Sequence, residues 1–201
     1  MMLLVLSSSL AVCPCRSATL AWVNDLVIGQ RLCPWASDAI RSPAFRLLTV
    51  HDVEDFETAT AAAANELNKL EDHRATTLLV LDSRAAQLDV QSFGRICSAA
   101  ARRCGDGIDL LGFHPARVDV GPGCSTRSED AAHFSVRSPL PTIQLLRTDD
   151  LVEARAEWRE RHGSALPGAF ELLQDNKKRL RSLGRVSLQR MMDAWLARLK
   201  R

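Results

Sequence analysis

The sequence has too little net charge, cysteine and uninterrupted apolar chain to belong to several large protein classes. A formal net charge of only +2 over 201 residues argues against a uniformly cationic protein that coats nucleic acid. The six cysteines, at 13, 15, 33, 97, 104 and 124, fall well below the density of a disulfide scaffold and favour a reducing compartment. They show no pair-plus-pair zinc spacing, and Cys13-Pro14-Cys15 is too close for a zinc knuckle. Residues 3–12 form an apolar, serine-containing run that is too short to span a bilayer. No G-x-S-x-G, P-loop or G-x-G-x-x-G occurs, and Gly121-Pro122-Gly123 carries a proline and opens no helix. Internal repeats and low-complexity tracts are absent as well.

What is present is the composition of one globular domain, 46% hydrophobic and 25% charged. The first 24 residues hold no acid and one base, Arg16. Residues 1–18 therefore read as an organelle transit segment, a secretory leader without its positive start, or simply an unstructured beginning. The folded domain is expected over 19–184, with a basic amphipathic helix over 185–201 packed on it. The protein is expected to be soluble and intracellular, in a mitochondrion or plastid if the first segment is a transit peptide.

Hydrophobic periodicity orders the chain. Apolar spacing predicts a helix over 19–31, stopped at Gly29. A strand over 45–50 leads to a helix with Asp52 as cap and Phe56, Ala63, Leu67 and Leu70 on its buried face. A strand over 76–81 is apolar on both faces, as in a sheet covered on both sides. A helix from Asp89 to Cys104, ended by Gly105, precedes a strand over 108–113, and Cys97 and Cys104 read there as small apolar residues. The stretch 114–141 reads as irregular, and a loop of that length in a compact domain is usually functional or disordered. A strand over 142–146, a helix capped by Asp149 or Asp150, a helix over 169–183 and a last helix over 187–199 complete the order. This alternation predicts an α/β fold: a mixed or largely parallel sheet of about four strands flanked by helices, with a helical C-terminal extension.

In such sheets ligands gather beyond the carboxyl ends of the strands, which draws attention to His114 at the end of Phe113-His-Pro115. His114 could act as a general base, a metal ligand or a donor to an anion, or be a loop histidine bonded to a carbonyl. Cys33, placed before Pro34 at a helix end, reads as a nucleophilic or redox thiol or as a buried cysteine beside Trp35. The negative end of a helix would raise its pKa. Arg137 and Ser138 could clamp a carboxylate or phosphate, or pin loop carbonyls. His114, Asp119, Cys124, Asp130 and His133 could supply a mixed metal site, although their spacing matches no metal motif. Residues 177–201 carry nine bases and one acid, a charge that suits RNA, phosphate or an anionic surface, or merely a solvated helix face.

Leu32-Cys-Pro-Trp-Ala36, Phe113-His-Pro115, Arg137-Ser-Pro-Leu-Pro141 and Leu145-Leu-Arg147 together resemble a mainly bacterial family of unknown function, domain-of-unknown-function family 1415. Asn176, Leu180 and Leu183-Gly184 resemble a further family segment, so the likeness runs over roughly 20–184. Four positions depart from the family pattern: Ala116, where an acid often follows Phe-His-Pro; His133 and Val136, where asparagines are common; and Gln144, where a histidine is frequent. These departures weaken a metal site in the loop and leave Cys33, His114, Arg137 and Ser138 as the matched polar set. The resemblance implies a place to look and no reaction or cofactor. The leading expectation is a small-molecule enzyme or anionic-ligand-binding domain, with Cys33 and His114 catalytic and Arg137 and Ser138 on the substrate. An RNA- or phosphate-binding module using the basic C-terminal helix, and a structural protein with no catalytic site, stand as alternatives.

Overall fold

The computed structural model describes residues 13–82, 88–121, 123, 127–163 and 168–200. Most of the expected leader, and Cys124 of the mixed metal set, lie outside the described residues. Chain order is α1 (Pro14–Trp22), a π-helical segment (Val23–Ile28), α2 (Ala36–Arg41), β1 (Arg46–Val50), α3 (Val53–Asn68), β2 (Thr77–Leu81), α4 (Val90–Cys104) and β3 (Ile108–Phe113). A 3-10 helix (Ala131–Val136), β4 (Thr142–Arg147), α5 (Thr148–His162), α6 (Gly168–Leu183), α7 (Arg185–Leu196) and a final 3-10 turn (Ala197–Lys200) follow.

The four strands make one sheet in the order β1-β2-β4-β3. β1 and β2 are parallel, and β4 runs antiparallel to both β2 and β3, so the sheet is mixed. The three strands that share a direction end at Val50, Leu81 and Phe113, beside the start of β4 at Thr142. That common edge therefore carries His51, Asp82 and His114.

β2 is buried along its whole length because both faces of the sheet are covered. Leu78 and Val80 point into one core with Leu47, Trp22, Leu26, Leu180, Leu188, Met192 and Trp195, contributed by α1, the π segment, α6 and α7. Leu79 and Leu81 point into the other with Phe56, Ala64, Leu67, Phe93, Ile143 and Leu145, from α3, α4 and β4. The architecture is thus an α/β sheet between two helical layers, as the alternation of periodicities predicts. Each fully buried Leu or Phe contributes about 1.5–3 kcal/mol through removal of its side chain from water.

Two start signals differ from expectation. α1 begins at Pro14, a residue suited to the first helical turn, and Cys15 and Ala18 are already buried in the core. α5 begins at Thr148, with Asp149 and Asp150 inside its first turn, where they suit the positive end of the helix. Arg147 turns back from the end of β4 to bond Asp150 at 2.8 Å and the carbonyls of Leu70 and Asp72, so the Leu-Leu-Arg motif clamps β4 to the α3–β2 connection. Among the described residues no helix is long and apolar enough to cross a membrane.

Candidate functional site

The polar set drawn from the sequence falls in two places. Three of its members tie the long loop to the sheet. His114 follows β3, is 5% exposed, and packs its ring on Phe93 with centroids 5.4 Å apart. Its Nε2–H donates to the Leu88 carbonyl at 2.8 Å, and its Nδ1 accepts the Ala116 N–H at 3.2 Å. A carbonyl can only accept, so this pair of partners selects the neutral Nε2–H tautomer. Burial pushes the pKa of the ring down in the same sense.

The backbone continues the tie. The His114 N–H donates to Val136 and the Arg117 N–H to His114. Arg137 donates from Nε to the Arg117 carbonyl at 2.9 Å and lies over the Phe134 ring at 5.0 Å. Ser138 is fully buried, and its hydroxyl donates to the Leu140 carbonyl at 2.5 Å. The loop residues considered for metal are similarly engaged. His133 donates to the Arg127 carbonyl and accepts from the Asp119 N–H, Asp119 pairs with Lys177, and Asp130 pairs with Arg181. Lys177 and Arg181 belong to the basic run, and Arg179 donates to the carbonyls of Gln30 and Arg31, so part of that charge holds the fold together.

Cys33 lies apart from the other three: no hydrogen bond joins it to them, and none of them lines the cavity around it. The chain leaves the helix in this region through an irregular exit. Gly29 N–H bonds Asn24 and Leu32 N–H bonds Val27, both the five-residue spacing of a π turn. A Cβ at Gly29 would stand 2.5 Å from the Asp25 carbonyl oxygen, so this close approach requires glycine. Arg31 then takes φ 53°, a left-handed conformation that costs a non-glycine residue about 1–3 kcal/mol and clusters at functional sites. Cys33 therefore stands past the helix end and just ahead of α2. Its thiol pKa is raised, the direction expected, but the leading cause is burial rather than the helix dipole.

Around Cys33 opens a cleft of about 520 Å³, within the range of small-molecule sites. It is built by helices and the segments between them, with no residue from a strand end. Ile28, Pro34 and Leu172 supply apolar wall, and Arg31, Asp175 and Arg179 supply charge. Trp158 forms an aromatic wall: it meets Trp35 edge-on at 6.2 Å and stacks on His162 at 3.7 Å, four residues along α5. Asn176 is 6% exposed and donates from Nδ2 to the Leu32 carbonyl at 2.6 Å, which fastens α6 to the Cys33 segment. Its Oδ1 has no hydrogen-bond partner, and neither has the buried indole N–H of Trp158. An acceptor and a donor are thus left unsatisfied on the walls of one cleft, each at a cost of about 1–3 kcal/mol.

Sequence reading picked out Cys33 as a site residue and Asn176 as part of a late motif, but not that they meet. Trp158 and His162 were missed. The available signal was an aromatic and a histidine at i, i+4 on a helix with no buried residue.

No curated protein and no solved structure matches the chain. The family described as protein of unknown function (DUF1415) matches residues 14–190, and the chain belongs to that family.

Proposed function

We propose that the protein is a small-molecule-binding domain whose ligand lies in the Cys33 cleft, with a flat apolar body against Trp158 and an anionic group toward Arg31 and Arg179. The observation that carries this reading is Asn176, a residue 6% exposed that lines the cleft and whose acceptor oxygen, closed to solvent as the wall stands, no protein group satisfies, so that a ligand reaches it through a small shift of the wall. The unpaired Trp158 N–H supplies the complementary donor. Arg179 engages its Nη1 with the Gln30 and Arg31 carbonyls, leaving Nε and Nη2 for an anion.

In this reading Cys33 is a protonated thiol of the wall, because burial disfavours its thiolate. His114, Arg137 and Ser138 shape the domain and do not touch the ligand. A catalytic version, in which His114 takes the Cys33 proton, would require Nδ1, the ring's acceptor nitrogen, to give up the Ala116 N–H.

The test is a titration with small aromatic carboxylates, benzoate and indole-3-acetate first, followed through the indole N–H resonances of the four tryptophans. Binding should move the Trp158 resonance and leave Trp195, in the core, unmoved. Asn176→Ala and Arg179→Ala should each weaken binding by about tenfold, the loss of one charged or buried hydrogen bond. Resonances that stay in place up to millimolar ligand, or weakening by His114→Ala alone, would overturn the proposal.

A further inference from the structure

A second cluster of reactive groups lies at the sheet edge where β1 and β2 end, on residues separate from the cleft. Cys13 is exposed at the N-cap position of α1, where its side chain makes no capping hydrogen bond, and Cys15 is 3% exposed in the first turn. The Cys15 thiol donates to Asp82 Oδ1 at 3.3 Å, and Asp82 Oδ2 meets His51 Nδ1 at 2.9 Å. Asp82 is held in place by its own N–H, which donates to the Val50 carbonyl. The backbone amide of Arg16 lowers the Cys13 pKa most; burial opposes it, and the Cys15 amide, the Thr49 hydroxyl and the Cys15 thiol add smaller lowering effects that leave the net shift downward.

This arrangement separates two roles. Cys13 is accessible at the start of α1, where the free backbone amides of the first turn favour a thiolate. Cys15 is shielded, next to Cys13, and has a carboxylate in position to take its proton.

We propose that Cys13 and Cys15 are a hydroperoxide-reactive thiol pair, Cys13 the attacking sulfur and Cys15 the resolving one. In the first step the Cys13 thiolate attacks the outer oxygen of a small hydroperoxide. The O–O bond breaks, an S–O bond forms, and the alcohol leaves with the proton that the thiol gave up. Sulfur is oxidised by two electrons, to sulfenic acid, and the peroxide is reduced by two. In the second step Cys15 passes its proton to Asp82 and attacks the Cys13 sulfur. The S–O bond breaks, the S–S bond forms, and hydroxide leaves as water with the proton from Asp82. An external dithiol reverses the bridge and is itself oxidised to a disulfide. His51, on the far oxygen of Asp82, is a positioning residue.

The experiment uses the full chain, reduced and then exposed to hydrogen peroxide. Trypsin leaves both cysteines in one peptide, because Arg16 is the first basic residue. In the wild type that peptide should lose two hydrogen masses and regain them with dithiothreitol. In Cys15→Ser, dimedone should label Cys13 at least about tenfold faster than Cys104, whose pKa burial raises. Cys13→Ser alters an exposed side chain, and Cys15 should then stay reduced. Asp82→Asn should slow bridge formation several-fold without slowing dimedone capture at Cys13, a split that a merely structural carboxylate would not produce. Direct oxidation of Cys13 to sulfinic acid without a bridge, or oxidation of Cys15 in Cys13→Ser, overturns the proposal. None of these readouts involves the cleft ligand, so either reading can fail alone.

Discussion

The loop tie and the Cys33 cleft both gather polar side chains, yet they treat them in opposite ways. Around His114 the polar groups singled out from the sequence have protein partners: both ring nitrogens, the Ser138 hydroxyl and the Arg137 Nε are bonded to backbone. Around Cys33 two buried polar atoms have none. A saturated network specifies one packing and rigidifies it, whereas unsatisfied buried groups lower stability and persist where something else satisfies them. The same residue chemistry thus serves the fold in one region and, in the binding proposed above, would meet a ligand in the other.

The sharpest way to break this comparison is His114→Ala. If His114 is a pin, truncation removes a buried ring from Phe93 and strands the Leu88 carbonyl and the Ala116 amide. Cavity and lost hydrogen bonds together should lower stability by about 2–4 kcal/mol, or roughly 10 °C in Tm for a domain of this size. Thermal unfolding followed by circular dichroism measures this. An unchanged Tm would mean that His114 is not holding the loop, and would return it to the site.

A smaller effect compares two tryptophans under one substitution. Trp195 is 1% exposed and its indole N–H donates to Asp25 Oδ2 at 2.9 Å. Trp195→Phe removes core volume and leaves a carboxylate without its donor, so it should cost about 2–3 kcal/mol. Trp158→Phe removes an N–H that has no partner, so relief of that group should offset much of the lost ring contact with Trp35 and His162. Its unfolding free energy should stay within about 1 kcal/mol of the wild type, as read from urea unfolding of the apo protein. Equal losses at both positions would remove the distinction between a core tryptophan and a binding wall.

These contrasts show why the fold was more legible in sequence than the site. Strands read from 45–50, 76–81, 108–113 and 142–146 form within a residue of those bounds, because alternation and apolar runs are local consequences of burial. Asp89 caps α4 through Gln91 and Ser92 amides, as its residue type suggests. The π turn at 23–28 was not legible, since the apolar positions that mark a helix are compatible with either winding over one turn. The 3-10 helix at 131–136 lies in the stretch read as irregular, and α2 is a single short helix without a buried residue. The cleft depends on Cys33 meeting Asn176 and Trp158, more than a hundred residues away, and no local pattern encodes that meeting. Unsatisfied atoms are invisible in a sequence, because being unsatisfied is a property of neighbours.

The smallest expected effect concerns pH and only the loop tie. His114 titrates in the unfolded chain near the ordinary histidine value of about 6.5, and burial lowers its pKa in the folded protein. Between those two values the unfolded chain binds more protons than the folded one, so acid favours unfolding. The stabilising contribution of neutral His114 is therefore complete above the unfolded value and declines as the pH falls through the lowered folded value. His114→Gln keeps a side-chain N–H to offer the Leu88 carbonyl and cannot titrate. Subtracting its stability profile from that of the wild type cancels the carboxylates common to both, and the difference should fall on acidification below about pH 6.5. Nδ1 accepts the Ala116 N–H, so a proton arriving there must break that bond, which is the structural origin of the slope. A flat difference would mean that His114 takes up its proton equally well folded and unfolded, which its burial and the Ala116 N–H on Nδ1 do not allow.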